Sequence, residues 1–190
     1  MGSYIDQKPF SLATLLRPDL KDLKPYTAQS MDQVIRLDAN ENPFDLPGEI
    51  KAAIESQLST AMFARYPDPL ARDLLKDIAA YTKVPVECLL VGNGSDELIL
   101  NIMLAFGMGR TVLIATPTFS MYKIHGQIAG ALCQGVARKQ DFQPDVLQLL
   151  QEAAQTKAAI IVLCTPNNPT GNATPLEQIE TCLLYTSRCV

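Results

Sequence analysis

The sequence predicts an α/β fold, a mostly parallel sheet covered by helices, and three observations carry that prediction. From Cys88 onward short apolar runs alternate with helical stretches, the pattern of strand and helix in turn. One run, AAIIVLC (Ala158 to Cys164), is apolar throughout, which suits a strand buried on both faces. Three polar motifs each follow a run directly: GNGSDE (Gly92 to Glu97), TPTFSMY (Thr116 to Tyr122) and TPNNPTG (Thr165 to Gly171). In a parallel sheet the carboxyl ends of the strands share one edge, where ligands bind, so the three motifs are expected to face a common site.

The elements follow in order. Residues 1–47 read as an arm with short helical potential at Ser11 to Leu16, interrupted by Pro18, Pro25, Pro43 and Pro47. Residues 48–181 read as one α/β domain. Gly48 to Leu58 is its first amphipathic helix, and in the second Leu70, Leu74, Leu75 and Ile78 recur at helical spacing. Cys88 to Val91 is a strand-like run, followed by a helix over Asp96 to Phe106. Thr111 to Ala115 is the next run, with a helix starting near Phe119, and Leu132 to Val136 is a weaker one. A helix over Pro144 to Ala154 then puts Val146, Leu149, Leu150 and Ala153 on one face, ahead of Ala158 to Cys164. There is no internal repeat and no low-complexity tract.

Each motif admits a chemical reading beside a structural one. In GNGSDE the glycines allow a tight turn, and the following helix offers free N–H groups near Ser95 and Asp96 that suit a phosphate. Taken alone, the motif is better read as a helix start with Ser95 as N-cap, because Asp96 and Glu97 repel a phosphate unless they point away. In TPTFSMY, Thr118 is an N-cap candidate and Tyr122 stands about one turn into the helix, as a ring to stack on a planar ligand or as a core aromatic. In TPNNPTG, Pro169 forces Asn168 out of helical geometry, so its carboxamide is displayed from a fixed loop or simply shapes a turn. Tyr66, just before Pro67, is a phosphate-binding hydroxyl or a packed loop tyrosine, and His125 receives no role.

Composition narrows the partners. The 190 residues, 47% hydrophobic, suffice for one domain with a core. A net charge of −4 with no Lys or Arg block gives no electrostatic support to a nucleic acid or an anionic membrane, which leaves a small molecule. The N-terminus lacks a signal-type apolar region, and Leu98 to Met108 is too short to span a bilayer, so a soluble, cytoplasmic protein is expected. Five dispersed cysteines (Cys88, Cys133, Cys164, Cys182, Cys189) with no CxxC pair, and a single histidine, imply no metal.

Taken together, LKPY (Leu23 to Tyr26), LDANENPF (Leu37 to Phe44), RYPD (Arg65 to Asp68), GNGSDE, PTFSMY and PNNPTG resemble, in order and spacing, the class I/II pyridoxal-phosphate-dependent aminotransferases. The histidinol-phosphate aminotransferases are the most similar branch. The resemblance, from Leu23 to Ile179, implies the incomplete three-layer αβα large domain of the fold-type I transferases, preceded by an arm. It implies pyridoxal 5'-phosphate as cofactor, with Ser95 and Asp96 at its phosphate, Tyr122 on its ring and Asn168 at its phenolic oxygen. It further implies that Tyr66 reaches the cofactor phosphate of a neighbouring subunit in a homodimer, and that Tyr26 and Asn42 approach the substrate. The reaction implied moves an amino group between histidinol phosphate and glutamate/2-oxoglutarate in histidine biosynthesis.

The sequence departs from the family in one respect. The Schiff-base lysine, the ring-nitrogen aspartate and the substrate arginines lie downstream of PNNPTG in the family. After Asn168 this sequence has no Lys, no Asp and only Arg188. The chain itself is therefore expected to be inactive. Its last residues, 182–190 (CLLYTSRCV), read as a non-native tail from truncation, frameshift or adapter read-through. The run Cys88 to Val91 is expected to lack its sheet neighbours, which the family takes from later sequence, with aggregation as the expected result. Two other readings stand beside the first: another class I/II aminotransferase or a threonine-phosphate decarboxylase, and a non-catalytic module binding pyridoxal phosphate or a nucleotide.

Overall fold

A computed structural model describes residues 15–24, 40–61 and 63–187, which divide into two compact units, residues 40–91 and residues 15–24 with 92–187. Tyr26, and most of the helical stretch expected at Ser11 to Leu16, lie outside the described residues.

In the smaller unit, α1 (Gly48–Thr60) starts from Pro47 and buries none of its residues. Helix α2 (Arg72–Thr82) is started by the Asp68 carboxylate, which accepts from the Leu70 and Arg72 amides at 3.2 and 2.9 Å and pairs with the Arg72 guanidinium at 2.8 Å. Of the expected apolar stripe, Leu75 and Ile78 are half-buried, while Leu74 and the pre-helical Leu70 are exposed. The run Cys88 to Val91 forms no strand. Val86–Cys88 is a 3-10 turn, and Leu89 is extended (φ −114°, ψ 140°) without a ladder partner among the described residues.

The larger unit is built on a three-stranded parallel sheet in the order β2-β1-β3, comprising β1 (Thr111–Thr116), β2 (Leu132–Ala137) and β3 (Ile160–Val162). Val112 pairs with Cys133 on one side and Ile160 on the other. β1 is the strand buried on both faces. Successive side chains of a strand point to opposite sides. Val112 and Ile114 therefore join Met103, Ala129 and Ala131 in one core, and Leu113 and Ala115 join Val136, Leu149 and Ala153 in the other. Helices α3 (Gly94–Ile102) and α4 (Met121–Ala129) supply the first face, and α5 (Val146–Thr156), backed by α6 (Leu176–Ser187), supplies the second. This is the three-layer αβα arrangement.

The expectation that Ala158 to Cys164 is buried on both faces is corrected. β3 is shorter than that run, stands at an edge of the sheet, and is half-buried throughout. Its side chains do reach both cores, Ile160 and Val162 one, and Ile161, with the following Leu163, the other. Without a second neighbour, however, the strand stays half-covered.

The helix boundaries have local causes. After α3 the chain runs on as a π-helical segment, Met103–Gly107, and a Cβ at Gly107 would sit 3.3 Å from Val112 of β1. Helix α4 stops at Gly130 (φ 79°), with Gly130 and Ala131 amides returning to the carbonyls of Gln127 and Gly126, a left-handed glycine stop. Arg17 completes that end by donating to the Ile128 and Gln127 carbonyls at 2.8 and 3.0 Å. Helix α5 begins at Val146, after Pro144, because the Asp145 side chain caps it through the Gln148 amide at 3.2 Å. Cys182 on α6 is buried. No helix of the described residues is long and apolar enough to cross a membrane.

Candidate functional site

The loops leaving the carboxyl ends of the three strands are joined through two buried polar side chains. Asn167, 3% exposed, accepts on Oδ1 from the Thr118 hydroxyl at 2.7 Å and from Nη2 of Arg138 at 2.8 Å. Its Nδ2 donates to the Pro117 carbonyl at 3.2 Å and the Thr170 hydroxyl at 2.7 Å. Arg138, just beyond β2 and also buried, donates from Nε to the Ala115 and Pro117 carbonyls at 3.3 and 3.0 Å and from Nη1 to Phe142 at 3.1 Å. These acceptors are neutral, and burial draws the Arg138 guanidinium below its ordinary pKa. Sequence reasoning missed both residues. The signal for Arg138 was a charged residue set directly after an apolar strand, and for Asn167 a second asparagine beside the one selected.

The consequence is a fixed platform. Asn167 is closed into its own turn by the Gly171 amide at 2.7 Å and the Asn172 carbonyl at 2.9 Å, and the neighbouring Asn168 is left exposed at the crest. Thr118 does not cap α4 as expected. Its hydroxyl is committed to Asn167, and Ser120 precedes the helix without a side-chain cap.

Tyr122 lies in the first turn of α4. Its ring meets Phe119 edge-on, with centroids 5.7 Å apart and planes at 88°, and packs against the Val112 and Ile114 core. Burial, aided by the neighbouring Cys164, pushes its phenol up to about 12. One side of the residue is thus core, and Cys164, just ahead of the loop that carries Asn168, lies beside it.

Helix α3 starts two residues earlier than the sequence suggested. Asn93 is its N-cap, Gly94 (φ 78°) its first residue, and Ser95 its exposed second residue, so Ser95 is not the cap. No side chain caps this end. The Glu97 carboxylate folds back to accept from the Asn93 amide, and Asp96 Oδ1 stands 3.9 Å from Nε2 of His125 on α4. The Glu97 carboxylate thus lies at the helix start itself, and the condition for an anion to bind there, both acids pointing away, is not met by Glu97, while Asp96 leans toward α4. Ser95, Asp96, Tyr122 and Asn168 are all carried by the larger unit, and Tyr122 and Asn168 follow the carboxyl ends of β1 and β3.

The remaining residues of interest lie in the smaller unit or beyond the description. Tyr66 is fully exposed, and the Asn42 side chain accepts from the Phe44 amide at 3.0 Å in a local turn. Tyr26 lies outside the described residues.

A parallel sheet layered between helices, with an asparagine loop at its carboxyl edge, has the architecture of the fold-type I pyridoxal-phosphate-dependent transferases. The chain belongs to the class I and II aminotransferase family, whose model matches residues 32–187. It is 43% identical over 176 residues to a histidinol-phosphate aminotransferase of Desulfitobacterium hafniense, covering 89% of this chain and 48% of that one. A second, from Caldanaerobacter subterraneus, is 38% identical over 169 residues, again covering 48% of its own length. The chain thus spans about half the length of the curated relatives it matches.

Solved structures agree on the fold. A Thermus thermophilus aspartate aminotransferase mutant superposes with a TM-score of 0.75 at 23% identity, covering 91% of this chain and 48% of that one. Histidinol-phosphate aminotransferase from Sinorhizobium meliloti, solved in complex with pyridoxal-5'-phosphate, superposes at 0.70 with 24% identity, covering 77% of this chain and 39% of that one.

Proposed function

We propose that this chain is the cofactor-side part of a pyridoxal-phosphate-dependent aminotransferase that moves an amino group between histidinol phosphate and 2-oxoglutarate in histidine biosynthesis. The observation that carries the substrate is the 43% identity to a histidinol-phosphate aminotransferase. The fit of the cofactor rests on α3, whose first-turn N–H groups and exposed Ser95 suit a phosphate, against which the Glu97 carboxylate on the Asn93 amide must be set.

Each residue has a part that follows from its position. The first-turn N–H groups of α3 and the Ser95 hydroxyl donate to the phosphate, with Asp96 beside them. Tyr122 supports the cofactor ring from α4. The Asn168 carboxamide donates to the phenolic oxygen from the platform that Asn167 and Arg138 hold. Pyridoxal phosphate, when bound, supplies an electron sink for carbanion chemistry at the amino-bearing carbon. Tyr66 would donate its hydroxyl to the phosphate of a second subunit in a homodimer, and Tyr26 and Asn42 would line the substrate side. The whole enzyme would act in the cytoplasm.

The chain carries the arm (residues 1–47) and part of the cofactor domain (residues 48–181). Residues 169–190 hold no lysine, so the residues named here are assigned binding and orientation, and the transfer itself is assigned to the longer protein. The test is an assay of the longer protein containing this sequence and a downstream lysine. Histidinol phosphate is expected to be preferred in kcat/KM over phenylalanine and threonine phosphate. Preference for either alternative would assign a different specificity.

A further inference from the structure

The Arg138 guanidinium stands at both ends of a path of hydrogen bonds. Its Nη2 donates to Oδ1 of Asn167 at 2.8 Å, and Nδ2 of Asn167 donates to the Thr170 hydroxyl at 2.7 Å. That hydroxyl donates to Oδ1 of Asn172, and Nδ2 of Asn172 donates to the Phe142 carbonyl at 3.0 Å. The same carbonyl accepts from Nη1 of Arg138 at 3.1 Å, which closes a ring. Every link runs from the guanidinium toward the carbonyl, and each amide or hydroxyl between them accepts on one side and donates on the other. Bonds linked in this way polarise and strengthen one another.

The ring encloses one turn. Within residues 167–172 the Asn167 amide donates to the Asn172 carbonyl at 2.9 Å and the Gly171 amide to the Asn167 carbonyl at 2.7 Å, so main chain and side chains close the same loop. Asn168 is exposed at its crest, between two ring members, and its own side chain bonds no other described residue. Across the ring, Phe142 is held in the left-handed region (φ 61°), which an aromatic residue takes only where its surroundings impose it. Its amide closes a turn on the Lys139 carbonyl at 2.9 Å, and its carbonyl serves both Arg138 and Asn172. Thr170 and Asn172 belong to neither hydrophobic core, so what their side chains determine is the geometry of this loop.

We propose that Thr170 and Asn172 are positioning residues, closing with Arg138, Asn167 and the Phe142 carbonyl the ring that fixes where the Asn168 carboxamide is presented. This role rests on the cofactor-site reading and deepens it. Arg138 and Asn167 join the loop to the strand ends on one side of Asn168. Thr170 and Asn172 secure the other side, so the chain is held on both flanks of the carboxamide before any ligand arrives. Neither residue touches the cofactor in this scheme.

The first readout is the order parameter of the Asn168 amide in the 190-residue chain, beside that of Leu113 in β1 as an internal reference. In the unaltered chain and in Thr170→Ser, which keeps the hydroxyl, Asn168 is expected at about 0.85, the rigid-backbone value. In Thr170→Val and in Asn172→Leu it is expected below about 0.6, with Leu113 unchanged. The double variant should be no lower than either single one, because one opening already breaks a ring. An Asn168 amide that stays rigid in both single variants, or losses that sum in the double, would overturn the proposal. The second readout is the pH at which the absorbance of bound pyridoxal phosphate titrates in the longer protein. Removing a donor from its phenolic oxygen raises that pH, so Asn168→Ala is expected to shift it upward, Thr170→Val to shift it the same way by less, and Thr170→Ser to leave it in place. An unmoved titration in Thr170→Val beside a shifted one in Asn168→Ala would also overturn the positioning role. If Asn168→Ala shifts nothing, the cofactor-site reading of Asn168 fails on its own account, and the ring is judged by the order parameters alone.

Discussion

The Thr118 hydroxyl donates to Oδ1 of Asn167 at 2.7 Å, joining the loop after β1 to the loop after β3. Arg138 donates to the same oxygen from beyond β2, so one buried carboxamide registers all three strand ends. The placement of Asn168 and of the first turn of α4 depends on that junction.

Replacing Asn167 by Ala should therefore cost stability well beyond an ordinary surface change. It strands the Arg138 guanidinium and two hydroxyls in a buried setting, at a cost of about 3 kcal/mol. Thr118→Val removes one bond and should cost about 1 kcal/mol. Urea midpoints at unchanged slope would measure both. A loss for Asn167→Ala no larger than that for Thr118→Val would remove Asn167 from its central place.

Arg138→Lys should behave nearly as badly as Arg138→Met. The guanidinium reaches Ala115, Pro117, Phe142 and Asn167 by a planar fork that an ammonium does not reproduce. Each variant is expected to lose about 2 kcal/mol or more in the same denaturation experiment. Full rescue by lysine would show that charge alone is needed there.

The core prediction separates two leucines of the same unit. Leu113 in β1 is fully buried, and Leu113→Ala should cost about 3 kcal/mol through lost transfer energy and the cavity left behind. Leu147 on α5 is 71% exposed, and Leu147→Ala should change stability by no more than about 0.5 kcal/mol. Similar losses at both sites would contradict the two-faced burial of β1.

Tyr122 gives a pH dependence with a definite sign. Its phenol is raised from 10.0 to about 12 in the folded chain, so between those values the unfolded chain loses its proton first. The contribution is fully present below pH 10 and fades as pH rises toward 12. Tyr122→Phe should abolish that part of the alkaline decline. Phenolate absorbance follows the titration directly, and appearance of the phenolate at the ordinary tyrosine value would place the ring in solvent.

Much of the fold was legible because periodicity reports burial. β1, β2 and α5 fall within a residue or two of the segments read from apolar spacing, and Val146, Leu149 and Ala153 do form the buried face of α5. Where the sequence misled, a neighbour decided the outcome. Ala158 to Cys164 has the composition of an interior strand, but burial of a strand needs partners on both edges, and β3 has β1 alone. Cys88 to Val91 has strand composition and no ladder among the described residues.

At the site, Ser95, Asp96, Tyr122 and Asn168 stand out in sequence because each sits in a polar motif directly after an apolar run. Asn167 and Arg138 do not, since their worth lies in bonds to residues distant along the chain. Thr118 looked like a cap because a hydroxyl before a helix usually is one, yet a tertiary partner claimed it. Ser95 looked like a cap for the same reason, and the positive φ of Gly94 moved the helix start ahead of it.

The most direct test of a cofactor-side half without its lysine is borohydride reduction of the 190-residue chain after incubation with pyridoxal phosphate, followed by peptide mapping and a transaminase assay. Diffuse, substoichiometric labelling of surface lysines and no amino transfer are expected. A single lysine labelled one-to-one, together with transaminase activity, would contradict that expectation.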